Sequence, residues 1–218
     1  MSNHMGDAQV ECGGSGDDRP LSARHPSVPP VREGLKNSEA RTSHEQTLGL
    51  PEGYSVRPAG DEDLQAITDI YNQAVSSGGA SADTAVQTVE ERAAWLHSHT
   101  PRNQYPVIVV QEAGTVAAFA SISRFHPRPG YDANVELSYY VELGHRGHGL
   151  GTCLVKWGLQ TARELGYASL NTVIFADNVG SMALMRHFGF IQYGLLPHAA
   201  EDSQGVRHDV AYWYHSLS

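Results

Sequence analysis

Apolar residues recur along this chain in alternating helical and strand-like periods, and that alternation predicts layers of helix on sheet. Tyr54 to Pro58 reads as a short strand stopped by proline. Asp61 is the expected N-cap of a helix carrying Leu64, Ile67, Ile70, Tyr71 and Val75 at helical spacing, which Ser76-Ser77-Gly78-Gly79 ends. A second helix is expected from Val89 to His97, with Trp95 and Leu96 as core anchors. Val107 to Gln111 and Val116 to Ser123 read as strands joined by a turn at Glu112-Ala113-Gly114. The segment from Arg124 to Tyr131 is too rich in proline for a helix or a central strand.

Val135 to Val141 is a strand whose alternation separates two faces. Val135, Leu137, Tyr139 and Val141 share one face; Glu136, Ser138 and Tyr140 share the other. A carboxylate on the more polar face of a central strand is a candidate for chemistry. A helix carrying Leu150, Leu154, Trp157, Ala162 and Leu165 follows and stops at Gly166. Ala168 to Ala176 is a strand, Asp177-Asn178 a turn, and a short helix runs to about His187. Phe190 to Leu196 and Val206 to Tyr214 complete the strands. The order of elements predicts an α/β or α+β fold.

Between the strand ending at Val141 and the helix starting near Leu150 lies Gly144-His145-Arg146-Gly147-His148-Gly149-Leu150-Gly151-Thr152. Glycines at alternate positions keep Cβ atoms off the loop, so backbone N–H groups can face one object closely. Arg146 adds charge, and the helix adds the positive end of its dipole. These features make a phosphate receptor. It is not a P-loop, because no Gly-Lys-Ser/Thr follows Gly149, nor a dinucleotide fingerprint, whose third glycine would fall at Thr152.

Composition sharpens the boundaries. Residues 1–53 contain none of the 5 Phe, 3 Trp and 10 Tyr of the 218-residue chain, and are expected to be a disordered tail, because little in them can offset ordering entropy. Residues 54–218 suffice for one domain. The tail reads either as a regulatory or targeting arm or as an extension without function. A net charge of −9 argues against general nucleic-acid affinity. Cys12 and Cys153 form no disulfide framework, there is no signal-peptide core, and no apolar run is long enough to span a membrane, so a soluble cytoplasmic protein is expected. The 12 histidines show no convincing metal-ligand spacing, and no metal is expected.

Arg-x-x-Gly-x-Gly at 146–151 resembles the pyrophosphate signature of the GNAT superfamily of acetyl-CoA-dependent N-acetyltransferases. Asn178-Val179-Gly180-Ser181 leading to His187-Phe188-Gly189-Phe190 resembles its second motif. Arg57-Pro58-Ala59, Ile70-Tyr71-Asn72, Glu90-Glu91-Arg92, Pro127-Arg128-Pro129-Gly130-Tyr131 and Val135-Glu136 are similar to the phosphinothricin/methionine-sulfoximine N-acetyltransferase branch, over about residues 54–216. The resemblance implies the GNAT fold, a mostly antiparallel, splayed mixed sheet flanked by helices. It implies acetyl transfer from acetyl-CoA to the amine of a small amino-acid-like substrate by direct attack on the thioester. Acetylation of a peptide or protein N-terminus, and an acyl-CoA-binding module without turnover, remain as alternatives.

The resemblance also assigns roles. Glu136 is the expected base that takes the amine proton. The backbone of Tyr139, Tyr140 and Val141 would pair with the pantetheine arm and polarise the thioester carbonyl. Arg146, Gly147, His148, Gly149, Leu150, Gly151 and Thr152 would cradle the pyrophosphate, and Asn178 would bond the pantetheine arm, cap a helix, or do both. His126-Pro127-Arg128 and Glu136-Leu137-Ser138 match the substrate-contact regions, where an arginine fork suits a carboxylate or phosphinate. Relatives commonly form dimers, so a homodimer is possible. Two positions depart from the pattern. The place of the family's tyrosine or histidine general acid is held by Met185, leaving Tyr140, His187 or water to protonate the thiolate. Relatives present an aromatic residue to the pocket near Gly79 to Asp83, where this chain has Ala82, which implies a wider pocket.

Overall fold

The computed structural model describes residues 48–217; most of the expected tail, including Cys12, lies outside them. The described chain runs β1 (Tyr54–Pro58), α1 (Leu64–Ser77), α2 (Val89–Ser98), β2 (Val107–Glu112), β3 (Thr115–Arg124), β4 (Asn134–Val141), α3 (Leu150–Glu164), β5 (Ser169–Phe175), α4 (Val179–His187), β6 (Ile191–Glu201) and β7 (Arg207–Ser216). The strands form one seven-stranded sheet in the order β1-β2-β3-β4-β5-β7-β6. Every neighbouring pair is antiparallel except β4 and β5. A parallel pair needs a crossover, and α3 is that crossover.

The two faces of the sheet carry separate cores. On one, Ile67, Ile70, Tyr71 and Val75 of α1 pack on Val109 of β2 and Phe119 of β3. On the other, Leu150, Leu154, Trp157 and Ala162 of α3 and Met182 and Met185 of α4 pack on Val110, Ala118, Ala120, Val135 and Leu137. The period-two pattern of β2 and β3 thus feeds both layers in turn. Leu48 is buried in the second core, and the Cys153 thiol donates to the Gly49 carbonyl at 3.4 Å, so contact with α3 starts before β1.

The start of α1 differs from the expectation. Gly60, not Asp61, is the N-cap, of a single 3-10 turn spanning Asp61–Asp63 that precedes the α-helix. The carboxylate that accepts the Gly60 N–H, at 2.9 Å, belongs to Asp63. Asp63 is buried, and the Arg57 guanidinium grips both its oxygens at 2.7 Å each. A buried carboxylate needs such a partner; the sequence offered two aspartates two residues apart, and Arg57 on β1 selects one. Leu96 anchors α2 with no exposure, whereas Trp95 is half-buried and covers the buried Arg92 guanidinium at 3.9 Å, which Tyr71 flanks from another side at 4.1 Å.

The hairpin between β6 and β7 is fastened to the end of α1. Asp202, 3% exposed, accepts from the N–H groups of Gly79, Gln204 and Val206 and meets His208 Nε2 at 2.9 Å. The other ring nitrogen of His208 meets Asp177 Oδ2 at 2.7 Å. Gln204 and Ser203 donate to the Ser76 and Val75 carbonyls at the α1 terminus. With carboxylates on both nitrogens, His208 must donate twice and is held as the cation: hydrogen bonding to Asp202 foremost, then Asp177, raises its pKa above the ordinary 6.5. Asp202 is correspondingly held down to about 2.

The signs fix a pH window. The raised histidine contributes stability below its unfolded value of 6.5 and loses it as pH rises through its folded value; the depressed aspartate contributes above 3.8 and loses it as pH falls toward about 2. Melting temperatures of the native chain and His208→Gln, measured from pH 4 to 9, are expected to differ most between about pH 4 and 6.5 and to converge at alkaline pH. A gap that widens with rising pH contradicts a cationic His208.

Candidate active site

β4 and β5 stay paired for only three positions, Asn134 with Ser169, Val135 with Leu170 and Glu136 with Asn171. Past them β4 remains bonded to β3 up to Val141, while β5 remains bonded to β7 up to Phe175. The sheet therefore opens into a V with Glu136 at its apex. The inner edges, Leu137–Val141 and Thr172–Phe175, turn backbone N–H and C=O groups toward a gap instead of toward each other, and such groups call for a partner. A cavity of about 450 Å³ fills the gap, bounded by these two edges, by the glycine loop, and by Asn178 and Ser181 of α4.

The glycine loop closes the open end. Gly147 and Gly149 both have φ of +82°, a left-handed conformation that disfavours any side chain. Gly149 is the N-cap of α3, and the first intrahelical bond is from Cys153 N–H to the Gly149 carbonyl at 3.2 Å. The N–H groups of Leu150, Gly151 and Thr152 lack helical acceptors and stand at the positive end of a 15-residue helix, on the cavity wall. Gly151 also serves packing: a Cβ there would lie 3.1 Å from Leu184 Cδ1, so the glycine permits close approach of α3 and α4.

The loop is braced from distant elements. Glu142 accepts the Gly144 N–H at 2.6 Å and the Gln73 amide of α1 at 3.1 Å, while Gln73 accepts the Leu143 N–H at 2.9 Å. Tyr54 of β1 bonds His145 Nδ1 at 2.8 Å. Arg146 is exposed, with Nε donating to the Val141 carbonyl at 3.4 Å, and lies at the cavity rim. His148 is exposed and outside the lining; His145, which the motif did not single out, lines it. Asn178 Oδ1 caps α4 through the Ser181 N–H at 3.1 Å, and the residue also borders the cavity, so capping and facing the gap coexist.

Glu136 is half-buried, with no hydrogen-bond donor or cation on its carboxylate among the described residues, and burial raises its pKa above the usual carboxylate value. It sits on the face of β4 shared with Ser138 and Tyr140, beside Ser123 of β3. Tyr140 is stacked on Phe119 at 5.1 Å and edge-on to Tyr71 at 5.0 Å, so its phenol belongs to the α1 core, and burial raises its pKa strongly. Beyond β5, Tyr193, Tyr212 and Tyr214 form an aromatic group on the outer strands, with ring centres about 6 Å apart, 6.1 and 5.8 Å from Tyr193. Burial, Tyr212 and the Glu136 carboxylate together push the Tyr193 phenol up, which places these rings within electrostatic reach of the apex.

His126 packs on Tyr131 at 4.4 Å, and its Nδ1 accepts the Arg128 N–H at 3.1 Å. Pro127 and Arg128 are exposed in this loop, outside the cavity lining; Leu137 and Ser138 are within it. Near the end of α1 it is Ala80 that reaches the cavity, while Ala82 is exposed. Met185 is fully buried and accepts the Thr172 hydroxyl at 3.2 Å, and His187 is exposed outside the lining. No group of three or more His, Cys, Asp or Glu side chains among the described residues is placed to hold a metal, and no described helix is long and apolar enough to cross a membrane.

Comparison with known proteins bears on this geometry. Residues 56–208 match the acetyltransferase (GNAT) domain family. The chain is 38% identical over 157 residues to the YwnH protein of Bacillus subtilis, covering 72% of this chain and 94% of that one. It is 34% identical over 148 residues to an L-methionine sulfoximine/L-methionine sulfone acetyltransferase of Pseudomonas aeruginosa, covering 67% and 86%. A crystal structure of a phosphinothricin acetyltransferase from Sinorhizobium meliloti in complex with AcCoA superposes with a TM-score of 0.72 at 30% identity, covering 76% of this chain and 89% of that one. A splayed sheet, a glycine-rich helix cap at its mouth and a family match over most of the described chain agree: this chain belongs to the GNAT acetyltransferase family.

Proposed function

We propose that this chain moves the acetyl group of acetyl-CoA to the amine of a small amino-acid-like compound, by direct attack of that amine on the thioester. One observation carries the reading: the V between β4 and β5 joins a helix N-terminus suited to phosphates with an unpaired carboxylate at its apex. The cavity fits the donor part by part. The free N–H groups of Leu150, Gly151 and Thr152, with Gly147, Gly149 and Arg146, suit the pyrophosphate. The unpaired edge of Tyr139, Tyr140 and Val141 suits the amides of the pantetheine arm as an added strand would, and Asn178 faces it from α4. Backbone N–H groups of the same edge polarise the carbonyl.

The acceptor approaches on the face of Glu136 and Ser138, between the α1 end and the tyrosines of β6 and β7. An α-amine with a pKa of roughly 8 is mostly protonated at neutral pH, and it reacts only after losing that proton. Glu136 takes it, directly or through water. The raised pKa of this carboxylate brings it nearer to the amine's and makes it a better base than a solvated glutamate. Arg128, free of side-chain partners in the loop leading into β4, offers a fork for an acidic group on the acceptor, and His126 holds that loop's shape. The two relatives named for methionine sulfoximine and phosphinothricin act on compounds of this kind. Acetyl-CoA as donor and a buried, unpaired Cys153 suit a cytoplasmic location. Exposed Ile191, Leu195 and Leu196 on the edge strand β6 are a candidate surface for a homodimer.

Free-thiol release across a panel of methionine sulfoximine, phosphinothricin, polyamines and short peptides is expected to show turnover with the amino-acid-like amines; turnover only with peptides refutes the acceptor class. Glu136→Gln is expected to lower kcat by roughly 10²-fold or more with acetyl-CoA affinity nearly unchanged, the range of a lost general base. An unchanged rate removes Glu136 from the mechanism. Gly149→Ala forces a side chain into a left-handed position, at a cost of about 1–2 kcal/mol, and calorimetric titration is expected to show acetyl-CoA binding weakened by roughly tenfold.

A further inference from the structure

At the apex the strand registers place Glu136 of β4, Asn171 of β5 and Tyr214 of β7 in one row, and residues in register share a face of the sheet. One step further up the V, Val173 of β5 stands beside Tyr212 of β7 on that same face. There α1 covers β2, β3 and Tyr140 of β4, but not the outer strands: Val173 is 42% exposed and Tyr193 of β6 51%. Val173 also belongs to the wall of the cavity that meets the glycine loop, so this open surface continues the site already described. Asn171, the polar residue between Glu136 and Tyr214, spends its amide on Ser169 and the Val135 carbonyl. Gly194 lies opposite Tyr212, and a Cβ there would be 3.6 Å from Tyr212 Cδ2, so the Tyr212 ring leans over β6 and leaves Val173 open. The Tyr193 ring is tilted 53° to Tyr212 and 73° to Tyr214, which makes a corner of ring faces and edges instead of a closed stack. The facing wall, from α1 and its end, presents the small side chains of Ala74 and Ala80.

We propose that Val173, Tyr193, Tyr212 and Tyr214 hold the side chain of the acceptor, and that the acceptor is an α-amine carrying an aromatic or large apolar group. This rests on the acetyl-transfer reading above and narrows its substrate class. Neighbouring strands lie about 4.8 Å apart, so about 10 Å of sheet separates Glu136 from Tyr214. One amino acid laid across β5 spans that distance, with its amine at Glu136 and its side chain on the rings. The side chain covers Val173, which takes apolar surface out of water, and meets the tilted rings edge-to-face, as aromatic pairs prefer. An ionised head group laid there loses water against three phenol rings and a valine, with no cation among them to compensate it.

The test offers the full chain L-phenylalanine, L-alanine and phosphinothricin as acceptors in the thiol-release assay. The value of kcat/KM is expected to be roughly 10- to 100-fold higher for phenylalanine than for the other two, the range for filling an apolar pocket. Tyr193 is exposed, so its replacement spares the core. Tyr193→Ser is expected to lower the phenylalanine-to-alanine ratio roughly tenfold, through KM, and Tyr193→Phe to keep it, because the ring and not the hydroxyl makes the contact. A second readout needs no turnover: in calorimetry on the coenzyme A-loaded protein, N-acetyl-L-phenylalanine is expected to bind more tightly than N-acetyl-L-alanine, and Tyr193→Ser to erase the difference. Equal kcat/KM for phenylalanine and alanine, a preference for phosphinothricin, or a ratio that Tyr193→Ser leaves unchanged overturns the pocket and leaves acetyl transfer standing. If that unchanged ratio comes with a changed oligomeric state by sedimentation, the rings belong to an interface between copies. A native protein that acetylates no amine but still prefers N-acetyl-L-phenylalanine refutes the acetyl-transfer reading and keeps the pocket. One that acetylates no amine and shows no such preference overturns both.

Discussion

The early end of β4–β5 pairing is the constraint on which the rest of this structure depends. Each strand keeps its outer neighbour, β3 for one and β7 for the other, so the sheet behaves as two sound halves joined at a three-residue seam. The inner edges cannot satisfy each other, and an unsatisfied edge is a template for whatever extended chain enters. The parallel crossover then fixes α3. Having left the top of β4, the chain must return to the bottom of β5, which sets the positive end of the α3 dipole at the mouth of the V. Phosphate-receiving and strand-like recognition thus arise from one topological decision.

The alternation along β4 divides chemistry between the two sides of that seam. Glu136, Ser138 and Tyr140 look toward α1, whereas Leu137, Tyr139 and Val141 look toward α3 and α4. Elsewhere in the protein buried acids are compensated: Asp63 by the Arg57 fork, Asp202 by His208 and three backbone N–H groups. Glu136 has neither, and its pKa is raised where theirs are lowered. A carboxylate kept partly buried and unpaired costs stability, and that is the physical ground for proposing it as the base. The clamp from Asp202 and His208 belongs to the same design, because it holds the β6–β7 hairpin against Gly79, next to the Ala80 that faces the cavity.

What was legible in the sequence was local. Strand and helix periods, the glycine loop, the face of β4 that carries Glu136 and the Asn178 cap depend on residues within a few positions of each other, and their physics is complete there. The structure adds what the sequence leaves open where a distant partner chooses. Asp61 and Asp63 are equivalent to a capping rule until Arg57 closes on one of them. His148 and His145 flank the same loop, but Tyr54 of β1 draws in the second. Ala82 looked like the pocket residue, whereas the end of α1 presents Ala80. Thr172 and the tyrosines of β6 and β7 carry no motif; strand order alone brings them near the apex.

The chain by itself therefore determined the number and kind of its elements, the glycine loop and the alternation of β4, because dihedral preference and periodicity act over one or two turns. Only the tertiary structure decided that β5 leaves β4 after Glu136 and that Met185 is sealed beneath Thr172. Those outcomes are settled by competition among strands for partners and among side chains for volume, and no single stretch of sequence contains both competitors.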